Sequence, residues 1–180
     1  NTVSIDHNIN ASNLDLTLEA ATSVTISDLS QSFGGESGFN SLSATANNIS
    51  INENINTKND LILNGDVSIN VASFDPLLQS ISGDIIVNGS LTGTDTESGF
   101  GELFLIGNNI YLNAVSGFNS VDLEANNIYL SGNISANRIA SNNQSNILLR
   151  KDVLMEAQSI EFDSATFTSA PEDSLTANVL

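Results

Sequence analysis

The 180-residue chain contains no cysteine and no tryptophan, and it has only one histidine, His7, and four basic residues. Without cysteine it can form neither a disulfide framework nor a thiolate metal site, and it has no cysteine nucleophile. A single histidine excludes a multi-histidine metal site within one chain. No apolar run approaches the roughly 20 residues that span a bilayer as a helix, so we expect no direct membrane insertion.

The few basic residues face 21 acidic ones, which gives a net charge of −17. Nucleic-acid-binding proteins neutralise phosphates with Lys and Arg, so we expect no nucleic-acid partner. The negative net charge of the chain would also repel anionic membrane surfaces. The chain also lacks a nucleotide-binding glycine loop and the basic residues that would hold an acidic polysaccharide in a cleavage site. We therefore expect that the protein is not an enzyme.

The sequence contains no cofactor-binding motif, and we expect no cofactor. Calcium is the alternative, because the stretches TDTE (residues 94–97) and PED (residues 171–173) are acidic. Neither stretch matches the EF-hand loop or the glycine-rich nonapeptide of calcium-binding solenoids. The sequence thus leaves the question of a specific metal site open.

One phrase recurs along the chain: alternating apolar residues, a small residue, one or two Asn or Asp, and a second apolar alternation. The stretches VDLEANNIYL, LSATANNISI and LFLIGNNIYL are copies of it. The first apolar residue after each corner serves as a marker of the repeat. The markers are Val3, Val24, Ile49, Val67, Ile85, Ile110, Ile128 and Val153. After a first interval of 21 residues, successive markers are either 18 or 25 residues apart.

Alternation at period two predicts strands with one inward face, and a regular return predicts coils that stack on one another. We therefore predict an all-β protein, a single-stranded parallel β-helix or β-solenoid, with about eight coils of 18 or 25 residues in residues 1–158. Residues 159–180 depart from the repeat and should form a last partial coil or an irregular cap. The predicted coil core is Ile49, Ile51, Val67, Ile69, Ile85, Val87, Ile110, Leu112, Ile128 and Leu130.

The Asn pairs have a structural explanation. Asn tolerates the left-handed backbone of a tight corner, and its amide can bond the same group one coil away. We predict a ladder at one shared corner, formed by Asn47, Asn48, Asn108, Asn109, Asn126 and Asn127.

Two further side-chain predictions concern the strands and the longer loops. The phrase Ser-Gly-Phe recurs, and we predict that Phe39, Phe100 and Phe118 stack at a coil corner. In VDLE, Leu123 should point inward and Asp122 outward. We therefore expect Leu123→Asp to unfold neighbouring coils and Asp122→Lys to be mild.

The stretches LEANNIYLSGNISA, SINENINTKNDLILNGDVSI and SGDIIVNGSLTG resemble the β-helical repeats of filamentous haemagglutinin-like exoproteins, which bacteria export by two-partner secretion. The resemblance covers about residues 3–155. It implies a right-handed parallel β-helix that serves as an adhesin shaft or surface filament, extracellular or at the surface of a bacterium. The Asn-Pro-Asn-Gly-type phrases of that family's secretion domain are missing, so the chain would correspond to a shaft segment.

Several alternatives stay open. A period of 18 residues is also three hexapeptides, as in left-handed β-helices, and ISGDIIVNGSLTG also resembles bactofilin-like polymers. We expect a non-enzymatic structural or adhesive solenoid; the alternatives are an end-to-end self-assembling polymer subunit and a carbohydrate-binding β-helix. The expected partners are further coils of a longer chain or other copies of the protein, with host or matrix glycans as an additional partner.

Overall fold

The computed structural model describes residues 1–6, 14–27, 39–94, 101–141, 144–150, 152–169 and 178–179. Within these ranges the regular secondary structure consists of β-strands alone, and the strands pair in parallel. The strands are β1 (Thr2–Ile5), β2 (Asp15–Glu19), β3 (Ser23–Ile26), β4 (Ser41–Ile51), β5 (Ile55–Thr57), β6 (Leu61–Asn70), β7 (Leu77–Ser80), β8 (Ile85–Thr94), β9 (Glu102–Ile106), β10 (Asn109–Glu124), β11 (Asn127–Leu130), β12 (Ile134–Ser141), β13 (Asn146–Leu149), β14 (Leu154–Glu156), β15 (Ser159–Phe162), β16 (Thr166–Ser169) and β17 (Asn178–Val179).

The strands wind into a β-solenoid of about seven turns with three faces, which confirms the predicted parallel β-helix. Face 1 consists of β2, the first parts of β4, β6, β8 and β10, and then β11, β13 and β16. Face 2 consists of β1, β3, the later parts of β4, β6 and β8, the middle of β10, the start of β12, and β14 and β17. Face 3 consists of β5, β7, β9, the ends of β10 and β12, and β15.

Stacked aliphatic side chains fill the interior of the solenoid. All ten predicted core residues, between Ile49 and Leu130, are buried and at most 2% exposed. Along each strand they alternate with more exposed residues, because successive side chains of a strand point to opposite faces. Each coil thus offers its neighbours the same apolar interior.

The repeat markers, however, do not lie in one column. Val67 stacks between Ile49 and Leu91 on face 2, whereas Ile85 stacks between Leu61 and Ile110 on face 1. The marker series therefore passes from one face to another. The stacked positions of face 1 are Leu16, Leu42, Leu61, Ile85, Ile110, Ile128, Ile147 and Phe167. Their spacings of 26, 19, 24, 25, 18, 19 and 20 residues do not fall into the two predicted lengths, because each corner accommodates loops of different size.

The strand VDLE also differs in part from the prediction. Leu123 is 1% exposed and belongs to the core, as alternation predicts. Asp122 points outward but is only 7% exposed, because the side chains of the neighbouring coil cover it. Its carboxylate accepts hydrogen bonds from Arg138 Nη1 at 2.6 Å and from Ser120 Oγ at 2.7 Å. Asp122 is therefore not a freely replaceable surface residue.

Candidate functional surface on face 1

The outward side of face 1 carries an apolar column where solvent-facing strand positions are usually polar. Five successive coils contribute one half-buried apolar side chain each, in direct register. The column consists of Ile62, Ile86, Tyr111, Tyr129 and Leu148. Strands in a sheet are about 4.8 Å apart, so the column is roughly 20 Å long. Thr17 and Ser43 precede it on the first two coils of the face, and Thr168 follows it.

The aromatic part of this column is a stacked pair of tyrosine rings. The rings of Tyr111 and Tyr129 stack with their centroids 4.4 Å apart and an interplanar angle of 3°. The guanidinium carbon of Arg150 lies 5.6 Å from the centroid of the Tyr129 ring, within the range of a cation–π contact. Burial, followed by the proximity of Tyr129 and Asp84, raises the pKa of the Tyr111 phenol. Tyr111 is thus a neutral hydrogen-bonding group at physiological pH.

A ladder of carboxylates and amides flanks the apolar column at the corner between faces 3 and 1. Its members are Asp60, Asp84, Asn109, Asn127 and Asn146. Asp60 Oδ1 accepts from the backbone N–H of Asp84 at 2.9 Å, and Asp84 Oδ1 accepts from Asn109 Nδ2 at 2.8 Å. The amides continue the ladder, since each of the next two donates to the Oδ1 of the amide one coil before, at 2.7 and 3.2 Å.

A second polar column flanks the other side, at the corner between faces 1 and 2. Its members are Asn64, Asn88, Asn113, Ser131 and Arg150. Asn88 Nδ2 donates to Asn64 Oδ1 at 2.7 Å, and Ser131 Oγ donates to Asn113 Oδ1 at 3.3 Å. A cleft of about 180 Å³ opens between this column and the tyrosine stack. Its polar lining comes from Asn88, Tyr111, Asn113, Tyr129, Ser131 and Arg150.

The outward side of face 2 is chemically different. Its central column is formed entirely by hydroxyl side chains over six coils: Ser4, Thr25, Ser50, Ser68, Thr92 and Ser116. The exposed carboxylate of Asp66 lies beside this column and accepts from the backbone N–H of Ser90 at 3.0 Å and from its hydroxyl at 2.9 Å. These two bonds, the backbone one first, lower the pKa of Asp66 below its usual value.

The predicted asparagine ladder is divided between two corners. Asn126 Nδ2 donates to Asn108 Oδ1 at 2.8 Å, parallel to the bond between Asn127 and Asn109, at the corner between faces 3 and 1. Asn48, with Asn47 before it, lies instead at the corner between faces 1 and 2, where it pairs with Ser23 and Asp66. The prediction that all six residues form one ladder at one shared corner is therefore wrong. The reason is that the same Asn-Asn-Ile sequence occurs at both corners.

The predicted phenylalanine stack is not formed by the members that the structure describes. Phe39 and Phe118 are both buried, but Phe39 pairs with Thr57 at the end of face 3 and Phe118 with Ala136 between faces 2 and 3. Phe100, His7 and, apart from Thr94, the two acidic stretches lie outside the described residues. Within the described ranges, no cluster of three metal-ligating side chains occurs, and no helix is long and apolar enough to cross a membrane.

Comparisons with protein-family models, with curated proteins and with solved structures find no match to this chain. The candidate surface therefore rests on its own geometry.

Sequence reasoning assigned no role to the apolar column and its second polar flank. A signal for both is present in five short stretches, DLILN, DIIVN, NIYLN, NIYLS and NILLR, which begin at residues 60, 84, 109, 127 and 146. Their first, third and fifth residues are polar, apolar and polar, and in a strand all three point outward. The sequence interpretation used only the second and fourth residues, which point inward, and therefore did not detect this outward pattern.

Proposed function

We propose that this chain is a non-enzymatic structural β-solenoid, a shaft-like segment of a bacterial surface adhesin or extracellular filament. The observation that carries the proposal is the continuity of coil-to-coil bonding along the axis. Parallel strands join successive coils on all three faces, and side-chain ladders join them at the corners. Bonding between neighbouring coils is what a load-bearing rod requires.

The corner ladders support a mechanical role because they stabilise the contact between coils. Asp75 Oδ1, for example, accepts from the backbone N–H groups of Gly101 and Glu102 on the next coil at 2.9 and 3.1 Å. Asn54 Oδ1 accepts from Leu77 N–H in the same way at 2.8 Å. Each such bond must break before one coil can separate from the next.

Single-molecule stretching tests the mechanical part of the proposal, with handles attached at residues 1 and 180. A shaft should open in steps that release one coil each. Because successive stacked positions on face 1 are 18 to 26 residues apart, a step should lengthen the chain by about 60–90 Å, at roughly 3.4 Å per extended residue. Extension at forces no higher than those of an unfolded chain would contradict the proposal.

The cellular part rests on the resemblance of the coil phrases to filamentous haemagglutinin-like exoproteins, and cell fractionation tests it. Antibodies against the chain should detect it on the bacterial surface or in the medium; detection only in the cytoplasm would contradict this part. We propose further coils of a longer chain, or other copies, as its partners. Light scattering on the purified chain separates the two, since copies that bind one another form species whose mass rises with concentration.

A further inference from the structure

We propose that the outward surface of face 1 binds a neutral, linear polysaccharide that lies along the solenoid axis. The proposal goes beyond a shaft role, because it assigns a ligand class to one particular face. It rests on the apolar column and the two polar columns beside it.

The apolar column provides the central contact. Five successive coils place one half-buried apolar side chain each in direct register, which gives a continuous apolar row on the outward surface. A contiguous apolar surface is a candidate interaction site. The row from Ile62 to Leu148 is narrow, one side chain wide, and about five coils long. A narrow, straight row fits a linear ligand better than it fits a globular surface.

The flanking columns provide hydrogen bonds on both sides of the row. A primary amide has two N–H donors and an oxygen with two lone pairs. In Asn109 and Asn127 the ladder uses one donor and one acceptor per side chain, which leaves one of each for a ligand. The ladder bonds also fix the amides before binding, which lowers the entropic cost of association.

A polyhydroxylated chain matches this arrangement. A sugar ring has apolar C–H surfaces and hydroxyl groups at its rim, so it can contact the apolar row and hydrogen-bond to both flanks. The rings of Tyr111 and Tyr129 cover one another's faces, so the ligand meets their edges and hydroxyl groups, beside the Arg150 guanidinium. An extended peptide is a poorer match, because the backbone groups of these strands already bond to the adjacent coils.

The charge of the protein selects neutral chains over acidic ones. The net charge is −17, and Asp60 and Asp84 lie directly in one flank. Because like charges repel, a polymer with a carboxylate on every sugar is disfavoured along the row. Arg150, at the last coil of the row, contributes donors at a single point only.

Affinity electrophoresis in native gels tests the proposal with hydroxyethyl cellulose, xylan and galactomannan as neutral probes and polygalacturonate as the acidic one. At least one neutral probe should retard the protein, and polygalacturonate should not. Replacing both tyrosines (Tyr111→Ser with Tyr129→Ser) should weaken the retardation at least about tenfold. Serine is chosen because Ser43 occupies the same column on an earlier coil.

A matched control changes the outward column of face 2, with Ser68→Ala and Thr92→Ala, and should leave the retardation unchanged. If the tyrosine variant fails to fold by circular dichroism, Ile62→Ser with Ile86→Ser replaces it and should give the same loss. No retardation by any neutral probe, stronger retardation by polygalacturonate, or equal loss in the control overturns the proposal. A concentration-dependent dimer that the face 1 variant abolishes also overturns it, in favour of a second copy as the occupant. The proposed shaft role would survive each of these failures.

Discussion

Asp122 and Leu123 are adjacent in one strand, and their side chains lie on opposite sides of it, Leu123 in the core and Asp122 on the outer surface beneath Arg138. Leu123 is a core residue, so Leu123→Asp should destabilise the protein by more than about 4 kcal/mol, because a buried unpaired carboxylate is very costly. Asp122→Lys should lower the free energy of unfolding by about 1–3 kcal/mol, because it breaks the ion pair with Arg138 and places a second cation beside the Arg138 guanidinium. Chemical denaturation measures both, with Ser116→Asp as a control that changes stability little, because Ser116 is exposed and its partner in the adjacent coil is Thr92. Equal tolerance of Leu123→Asp and Ser116→Asp would contradict the register.

Alternation predicts the direction of both side chains but not the environment of Asp122. Its partner Arg138 is 16 residues away and reaches it only because Ser120 pairs with Arg138 in the next coil. A second ion pair, between Arg138 and Glu161 at 3.2 Å, extends the contact to a third coil. Such cross-coil partners depend on the exact register, which the sequence pattern does not determine.

Gly65 and Gly107 both precede a corner, at positions that small residues occupy in the other coils. We expect substitution of Gly65 to destabilise the protein more than substitution of Gly107. Gly65 has a φ of +149°, and an added Cβ would lie 1.9 Å from the carbonyl oxygen of Ala46. At Gly107 the nearest atom to an added Cβ is Ile85 Cγ1, at 3.3 Å. We expect Gly65→Ala to cost about 1–3 kcal/mol in the free energy of unfolding and Gly107→Ala clearly less. Equal costs in denaturation experiments would contradict the account of this corner.

Asp66 should make a pH-dependent contribution to stability. Its pKa is lowered in the folded state by the hydrogen bonds from Ser90, so the folded state favours the carboxylate. The contribution is complete above the unfolded pKa of about 4 and is lost as the pH falls below it. The destabilisation caused by Asp66→Asn should therefore shrink between pH 7 and pH 3 in urea unfolding. A difference that stays constant over this range would contradict the assignment.

At the scale of the corner elements, the amide ladder should contribute measurably to the contact between coils. Asn127→Ala removes the donor to Asn109 Oδ1 and the acceptor for Asn146, so we expect a loss of about 1–2 kcal/mol. Asn137→Ala is the matched control, since the described contacts of this exposed residue involve its backbone carbonyl. It should change the unfolding free energy by less than about 0.5 kcal/mol. Indistinguishable values for the two variants would show that the ladder contributes nothing.

The strands and their inward residues could be predicted because each one carries its own alternation. The assignment of strands to faces could not, because the same phrase begins face 1 at Asn109 and face 2 at Asn48. The candidate surface was missed for a related reason. Its outward residues are ordinary strand residues one by one, and only stacking in the third dimension makes Ile62, Ile86 and Tyr111 a continuous row.

At the scale of the whole molecule, we expect each coil to be an exchangeable unit. Face 1 stacks Ile85, Ile110 and Ile128 directly above one another, and face 3 stacks Leu103, Val121 and Ile139. Removing residues 110–127 deletes 18 residues, one complete coil. Ile128 then takes the place of Ile110 above Ile85, and Ile139 takes the place of Val121. Repeat proteins tolerate such changes because each repeat contacts only its neighbours.

The most direct test compares this deletion with the same deletion carrying Ile128→Asp. The deletion of residues 110–127 should retain a β-sheet spectrum and cooperative thermal unfolding, because Ile128 then fills the inward position above Ile85. The second variant places a carboxylate at that buried position, so it should lose cooperative unfolding. Loss of cooperative unfolding by the 110–127 deletion, or its retention by the variant with Ile128→Asp, would contradict the stacked-coil account.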